Sequence, residues 1–331
     1  MRLQPFCLCT RMALTSDSLP GTSVGGRAAP PQVRTQAPGF YRMMLGEFEV
    51  TALSDGTVDL PFDTLLNGID SVSLAALLAQ AGQSLPVEVS INAYLVNTGS
   101  RLVLIDTGAG ELFGSRGGGR LPQSLLASGY RPEDIDAVLL THVHADHSGG
   151  LVREERTAFA NAIVHVEELD RAYWFSHEAH SQAPEHQRHS FLQGRASLKP
   201  YIEAGRLRTF RGAAEILPGF RSIPAPGHTP GHTLFSVENS GQKLVVWGDI
   251  VHSAPAQVPC PNVTIRFDSD EAAAAQTRHQ VFSDAAREGW LVGAAHVAFP
   301  GLGRVRYAER GFSWVPLNYS LKLERPQEPT T

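Results

Sequence analysis

Ten residues constrain this chain more than any others: Thr141-His142-Val143-His144-Ala145-Asp146-His147-Ser148-Gly149-Gly150. Four side chains able to bind a metal ion fall within six residues, directly after the apolar run Ile135-Asp136-Ala137-Val138-Leu139-Leu140, which reads as a short buried strand. In an extended stub His142 and His144 project to one side, and a following turn brings Asp146 and His147 round to face them. Burying several imidazoles beside a carboxylate is costly unless something pairs them, and metal coordination does so. Neutral imidazole with carboxylate suits zinc first, with manganese, cobalt and iron as alternatives.

Three later segments extend the pattern. His228 stands in Pro226-Gly227-His228-Thr229-Pro230-Gly231-His232, Asp249 ends the strand-like KLVVWGD, and His296 ends WLVGAAH. Each candidate therefore falls at the C-terminal edge of an expected strand, where loops converge on one cleft.

Composition excludes several classes. With 331 residues, 42% of them hydrophobic, the chain carries enough apolar material for a large core, which rules out wholesale disorder and a small disulfide scaffold. A net charge of −5 leaves no electrostatic footprint for nucleic acid or an anionic membrane. Cys7, Cys9 and Cys260 build neither a disulfide framework nor a cysteine zinc site. No apolar stretch is long enough to span a bilayer. The opening MRLQPFCLCTRM is either a degraded export signal, its apolar run broken by Arg11, or a plain tail. Residues 1–35 are thus expected to be a flexible lead-in, 36–325 one domain and 326–331 a tail. A soluble protein of the cytoplasm or periplasm is expected.

GEFEVTALSDG alternates like a half-buried strand and is expected to turn at Asp55-Gly56. INAYLVNTGSRLVLIDTG reads as two strands joined at residues 97–100, and PQSLLASGY as a short helix closed by Gly129. Strands are expected at AIVHV, TLFSVE, KLVVWGD and WLVGAAH, and a helix at DEAAAAQTRHQVFSDAAREG. Strands interleaved with helices after an antiparallel start predict a layered α/β fold with sheets inside and helices outside.

HVHADH, a glycine-flanked His, then GD and a late His together resemble the metallo-β-lactamase superfamily. The likeness is closer to its methyl parathion hydrolase branch, with the related lactonases and aryl esterases. It runs from about Pro31 to about Ser320 through YLVNTGSRLVLIDTGAGELFG, PGHTPGH and VPLNYS. The resemblance implies an αββα four-layer sandwich, a single catalytic domain, two divalent metal ions (zinc foremost) and a homodimer. It implies that His142, His144 and His228 hold one ion, that Asp146, His147 and His296 hold the other, and that Asp249 bridges them. His232 is then a supporting histidine, and Asp106 either orients a ligand from behind or is simply a strand-end turn residue.

By the resemblance the nucleophile is a metal-bridging hydroxide rather than a side chain, with Asp249 as its proton acceptor. By the same resemblance Phe113, Trp174 and Phe191 form an aromatic clamp at the entrance; the competing reading of each is ordinary core. Leu65 stands where the parathion-hydrolysing enzymes carry a basic residue, and His252, Ile265 and Phe267 where they carry Leu or small residues. That set is similar to the lactone- and aryl-ester-hydrolysing relatives, whose small planar substrates bulky walls accommodate. His252 is either an aid to proton transfer or a supporting residue. The expectation is lactone or aryl ester hydrolysis, with phosphotriester cleavage as a side activity or as the alternative main one.

Overall fold

The computed structural model describes residues 29–323; the export-signal reading and the tail at 326–331 fall outside them. The chain divides into residues 1–37 and 38–331. Residues 29–39 form no regular element, and among the described residues every strand and helix lies in the second unit.

Two seven-stranded sheets make up the centre, each with its strands in chain order. The first runs Phe40–Leu45, Phe48–Leu60, Val87–Asn97, Leu102–Ile105, Ala137–Leu139, Ile163–Glu167, Leu207–Phe210. It is antiparallel up to Leu102–Ile105 and parallel beyond. The second runs Glu215–Leu217, Phe220–Pro224, Thr233–Asn239, Gln242–Val246, Leu291–Gly293, Leu302–Tyr307, Phe312–Pro316, with one parallel pair between Gln242–Val246 and Leu291–Gly293.

The period-two alternation of strands decides which side chains meet. Tyr94, Val96, Val103, Ile105 and Leu139 of the first sheet pack against Phe220, Phe235, Val237, Leu244 and Leu291 of the second. The opposite face of the first sheet (Leu95, Leu104, Val138, Val164) is covered by Leu125, Trp174, Phe191, Leu198 and Tyr201 from helices Leu121–Ala127, Glu168–Phe175 and Glu185–Glu203. The opposite face of the second (Leu234, Val245, Val292) is covered by Val281, Phe282 and Ala285 of helix Glu271–Glu288. Helix, sheet, sheet, helix is the expected four-layer order. Leu102–Ile105 lies at the centre of it, buried on both faces, which is why LVLI is an unbroken apolar run rather than an alternation. Among the described residues no helix is long and apolar enough to cross a membrane.

Two local expectations are corrected. Asp55-Gly56 is not a turn: the strand continues from Phe48 to Leu60, and the hairpin reverses earlier, between Leu45 and Phe48. At Asp55-Gly56 the register shifts by a bulge, and glycine is there because φ is +111°. The Asp55 carboxylate, fully buried, accepts the backbone N–H groups of Ala109, Gly119 and Leu121, each at 2.8 Å. It staples the glycine-rich segment 108–119 onto the first sheet. The strand ladders stop earlier than expected, at Val246 and Gly293, so Asp249 stands three residues beyond in the 3-10 turn Gly248–Ile250 and His296 three residues beyond in a loop.

Asp55→Ala orphans three buried donors at about 1–3 kcal/mol each. Denaturant unfolding is expected to show a loss of about 3 kcal/mol or more; a loss below about 1 kcal/mol would contradict the staple.

Candidate metal centre

Four strand ends deliver the candidate ligands to one place. After Leu139 the chain passes through Thr141 to His144 and then into the helical turn Ala145–Ser148, which carries Asp146 and His147. His228 follows Pro224, Asp249 follows Val246, and His296 follows Gly293. His142 Nε2 lies 3.0 Å from His144 Nδ1, which lies 2.9 Å from His228 Nε2. His228 Nε2 is 3.1 Å and His142 Nε2 3.6 Å from Asp249 Oδ2. On the other side His147 Nε2 and His296 Nε2 are 3.0 and 3.1 Å from Asp249 Oδ1, and His296 Nε2 is 3.4 Å from Asp146 Oδ2. Asp249 thus turns one oxygen to each histidine group.

The donor set fits divalent ions. Bonds of about 2.0–2.1 Å to one ion put neighbouring donor atoms about 3 Å apart, which is the spacing of these nitrogens. Neutral ring nitrogens facing one another gain little unless something is shared between them. The donors form the groups His142, His144, His228, Asp249 and Asp146, His147, His296, each with its ligand atoms within 4.8 Å of one another. His147 Nε2 and Asp249 Oδ1 are buried with no hydrogen-bond partner, as atoms reserved for an ion are. Burial opposes charge on every ring. Against it, Asp249 raises the pKa of His147, His228 and His296, while His142 and His144 are held well below the usual imidazole range.

Carboxylates and carbonyls behind the rings fix their orientation. Asp106, at φ +62°, accepts from Thr141 N and Thr141 Oγ1, both at 2.8 Å, and its Oδ2 is 2.9 Å from His147 Nδ1. His296 Nδ1 is 3.0 Å from the Ser90 carbonyl. His232 bonds the Ala225 carbonyl through Nδ1 and accepts Asp249 N–H at Nε2, 3.0 Å away. Burial holds it neutral, its pKa pushed down to about 3.

Two supporting carboxylates escaped the sequence reading. Asp268 lies 2.8 Å from His228 Nδ1 and accepts Ile265 N at 3.1 Å. Asp170, in helix Glu168–Phe175, accepts Val143 N at 2.8 Å and Trp174 Nε1 at 3.2 Å. It therefore ties the ligand loop to the indole that meets His144 edge-on at 5.0 Å. A Cβ on Gly231 would lie 2.3 Å from the Asp170 backbone nitrogen, so only glycine lets the His228–His232 loop pack against that helix. Each acid stands among other acidic residues, Glu167 and Glu168 beside Asp170, Asp270 and Glu271 beside Asp268, with no spacing that singles it out in the sequence.

The expected pocket residues are only partly brought together. A cleft beside His144 and His228 is walled by Tyr173, Trp174, Gln187, Thr229 and Phe267; neither Phe113 nor Phe191 is among its walls. Phe191 takes the core reading of the two: it is fully buried behind Trp174 and Tyr173, ring centres 4.9 and 5.0 Å away, in the helix–sheet core. Phe113 is half-buried under the Arg116 guanidinium. Ile265 is fully buried and clusters with Phe62 and Leu66, with Leu65 and Phe267 packed against them. His252 stacks on His296 at 5.3 Å and lines a separate cavity of about 540 Å³ with Phe62, Val89, Phe299 and Trp314.

Asp268→Ala is expected to weaken metal binding about 10–100-fold by releasing His228, measured by competition with a chromogenic chelator. Unchanged affinity would show that the Asp268 contact does not support the ligand.

Residues 86–309 match the metallo-β-lactamase superfamily, more than half of the chain. The crystal structure of the hydrolase AbOPH, of the β-lactamase superfamily, superposes with a TM-score of 0.82 at 33% identity, over 86% of this chain and 100% of that one. AidC, a dizinc quorum-quenching lactonase solved with N-hexanoyl-L-homoserine, gives 0.80 at 26%, over 86% and 99%. An N-acyl homoserine lactonase of a Bacillus species is 26% identical over 179 residues, 48% of this chain and 63% of the relative. Those of Bacillus cereus and Bacillus thuringiensis are matched over 42% and 60% of their lengths, so the chain spans about half the length of such curated relatives. By fold, by donor set and by sequence the chain belongs to the metallo-β-lactamase superfamily.

Proposed function

We propose that this chain hydrolyses lactones or aryl esters at a centre of two divalent metal ions, zinc foremost, within the branch that also contains the methyl parathion hydrolases. The observation that carries the reading is Asp249, with Oδ2 turned to His142 and His228 and Oδ1 to His147 and His296. Bound there, two such ions supply a water made acidic enough to attack at neutral pH and a positive field for the charge that develops on the carbonyl oxygen. His142, His144 and His228 hold one ion, Asp146, His147 and His296 the other. Asp249 would space the two groups and stand beside the attacking water as the acceptor of its proton. Trp174, fixed through Asp170, stands edge-on to His144 in the wall of the cleft, an apolar neighbour for a planar aryl or lactone ring. Phe267 walls the same cleft, its ring 6.2 Å from that of His252.

The relatives support the substrate class. AidC is a dizinc lactonase, and the Bacillus proteins are N-acyl homoserine lactonases. Phosphotriester cleavage is the second reading, since the same field polarises a P=O bond, but Phe267 on the wall of the cleft leaves less room for two alkoxy arms. A homodimer acting on a small-molecule ester completes the proposal.

The test compares kcat/KM for dihydrocoumarin and methyl paraoxon on one zinc-loaded preparation. A lactone preference of about tenfold or more is expected; the reverse preference would make the protein an organophosphate triesterase. His142→Ala and Asp249→Ala are each expected to lower hydrolysis of both substrates together, by roughly a hundredfold or more. A variant that keeps full activity on either one contradicts the shared centre for that reaction.

A further inference from the structure

Asp249 has a fifth imidazole against it. His252 Nε2 lies 2.9 Å from Asp249 Oδ2, and Asp249, His252 and His296 form a further group of three whose ligand atoms all lie within 4.8 Å of one another. The ring is 3% exposed, and neither of its nitrogens has a hydrogen-bond partner. A nitrogen 2.9 Å from a carboxylate oxygen that still makes no hydrogen bond has its lone pair directed elsewhere. His147 Nε2 has the same signature: 3.0 Å from Asp249 Oδ1, buried, and unpartnered. Donors of one ion behave in this way, because each points at the ion and not at its neighbour.

The loop holding His252 is built to keep it there. The backbone N–H groups of His252 and Ser253 donate to Gln257 Oε1, at 2.7 and 3.1 Å, and Gln257 Nε2 donates to the Val263 carbonyl. Arg278, buried in helix Glu271–Glu288, donates to the Ile250 carbonyl at 2.6 Å. Two buried polar side chains thus clamp the loop from Ile250 to Ser253, and the ring stacks on His296 and meets His228 at 5.0 Å.

We propose that His252 is an eighth protein ligand of the metal centre, sharing an ion with Asp249 and His296, so that this chain closes a coordination position otherwise left to solvent or substrate. The inference rests on the dinuclear reading above. It gives His252 a role in retaining metal that is separable from any role in choosing substrate.

The test titrates zinc, and separately cobalt, into chelator-stripped wild type, His252→Leu and His252→Gln. Leu removes the ring nitrogen; Gln keeps the size and polarity but is a poor ligand, so the pair separates ligation from packing. Both variants are expected to bind two ions, one of them about tenfold or more weakly than wild type, and to change the visible cobalt spectrum as a ligand is lost. Two wild-type affinities and an unchanged cobalt spectrum, with only kcat/KM altered, would overturn the proposal and leave His252 a pocket residue. If Leu alone lost metal while Gln kept it, packing would be the cause and ligation would be rejected. Fewer than two ions on the wild type would instead refute the dinuclear reading itself.

Discussion

The structure turns on one buried carboxylate. Asp249 is 3% exposed, and isolated in a protein interior it would be costly to ionise. Five imidazoles surround it, and together they hold its pKa well below the usual carboxylate range despite its burial. Its own N–H is fixed by His232, and its loop by Arg278 and Gln257. The arrangement is expensive without an occupant: ring nitrogens 2.9 and 3.0 Å apart and buried atoms with no partner. Cations placed between the donors relieve every one of these contacts together.

That demand explains the architecture around it. The candidate ligands come from the ends of strands in both sheets, so the two sheets must pack face to face with their C-terminal edges aligned. The apolar layer between them, from Tyr94 and Ile105 to Phe235 and Leu244, is what holds the edges in register. Asp106, Asp170 and Asp268 each join a ligand segment to a different element of the scaffold. The centre is therefore rigid through its supports, and function sits on short loops whose ends are strand residues.

What the sequence made legible follows from density and local spacing. HVHADH packs four donors within six residues; Asp249 and His296 are legible because each follows an apolar run, and His228 because it stands in the glycine-flanked PGHTPGH. The layer order was readable from the alternation of strands and helices. Asp55-Gly56 was misread because a bulge and a turn ask for the same residues, a glycine at positive φ beside a short acid, and only pairing with Ile91 across the strand distinguishes them. Asp170 and Asp268 were invisible because their partners are 27 and 40 residues away in the chain. Phe191 shows the limit of inference from a family pattern: aromatic identity was evident, but whether the ring faces a cleft or a core depends on the packing of the helix that carries it.

The most direct measurement of the central claim is metal content against activity. Chelator-stripped protein is reloaded with zinc in steps, with bound metal quantified by mass spectrometry and ester hydrolysis measured at each step. The account predicts negligible activity in the stripped chain and full activity only as the second ion per chain is bound. Full activity in stripped protein, or saturation at one ion, would contradict it.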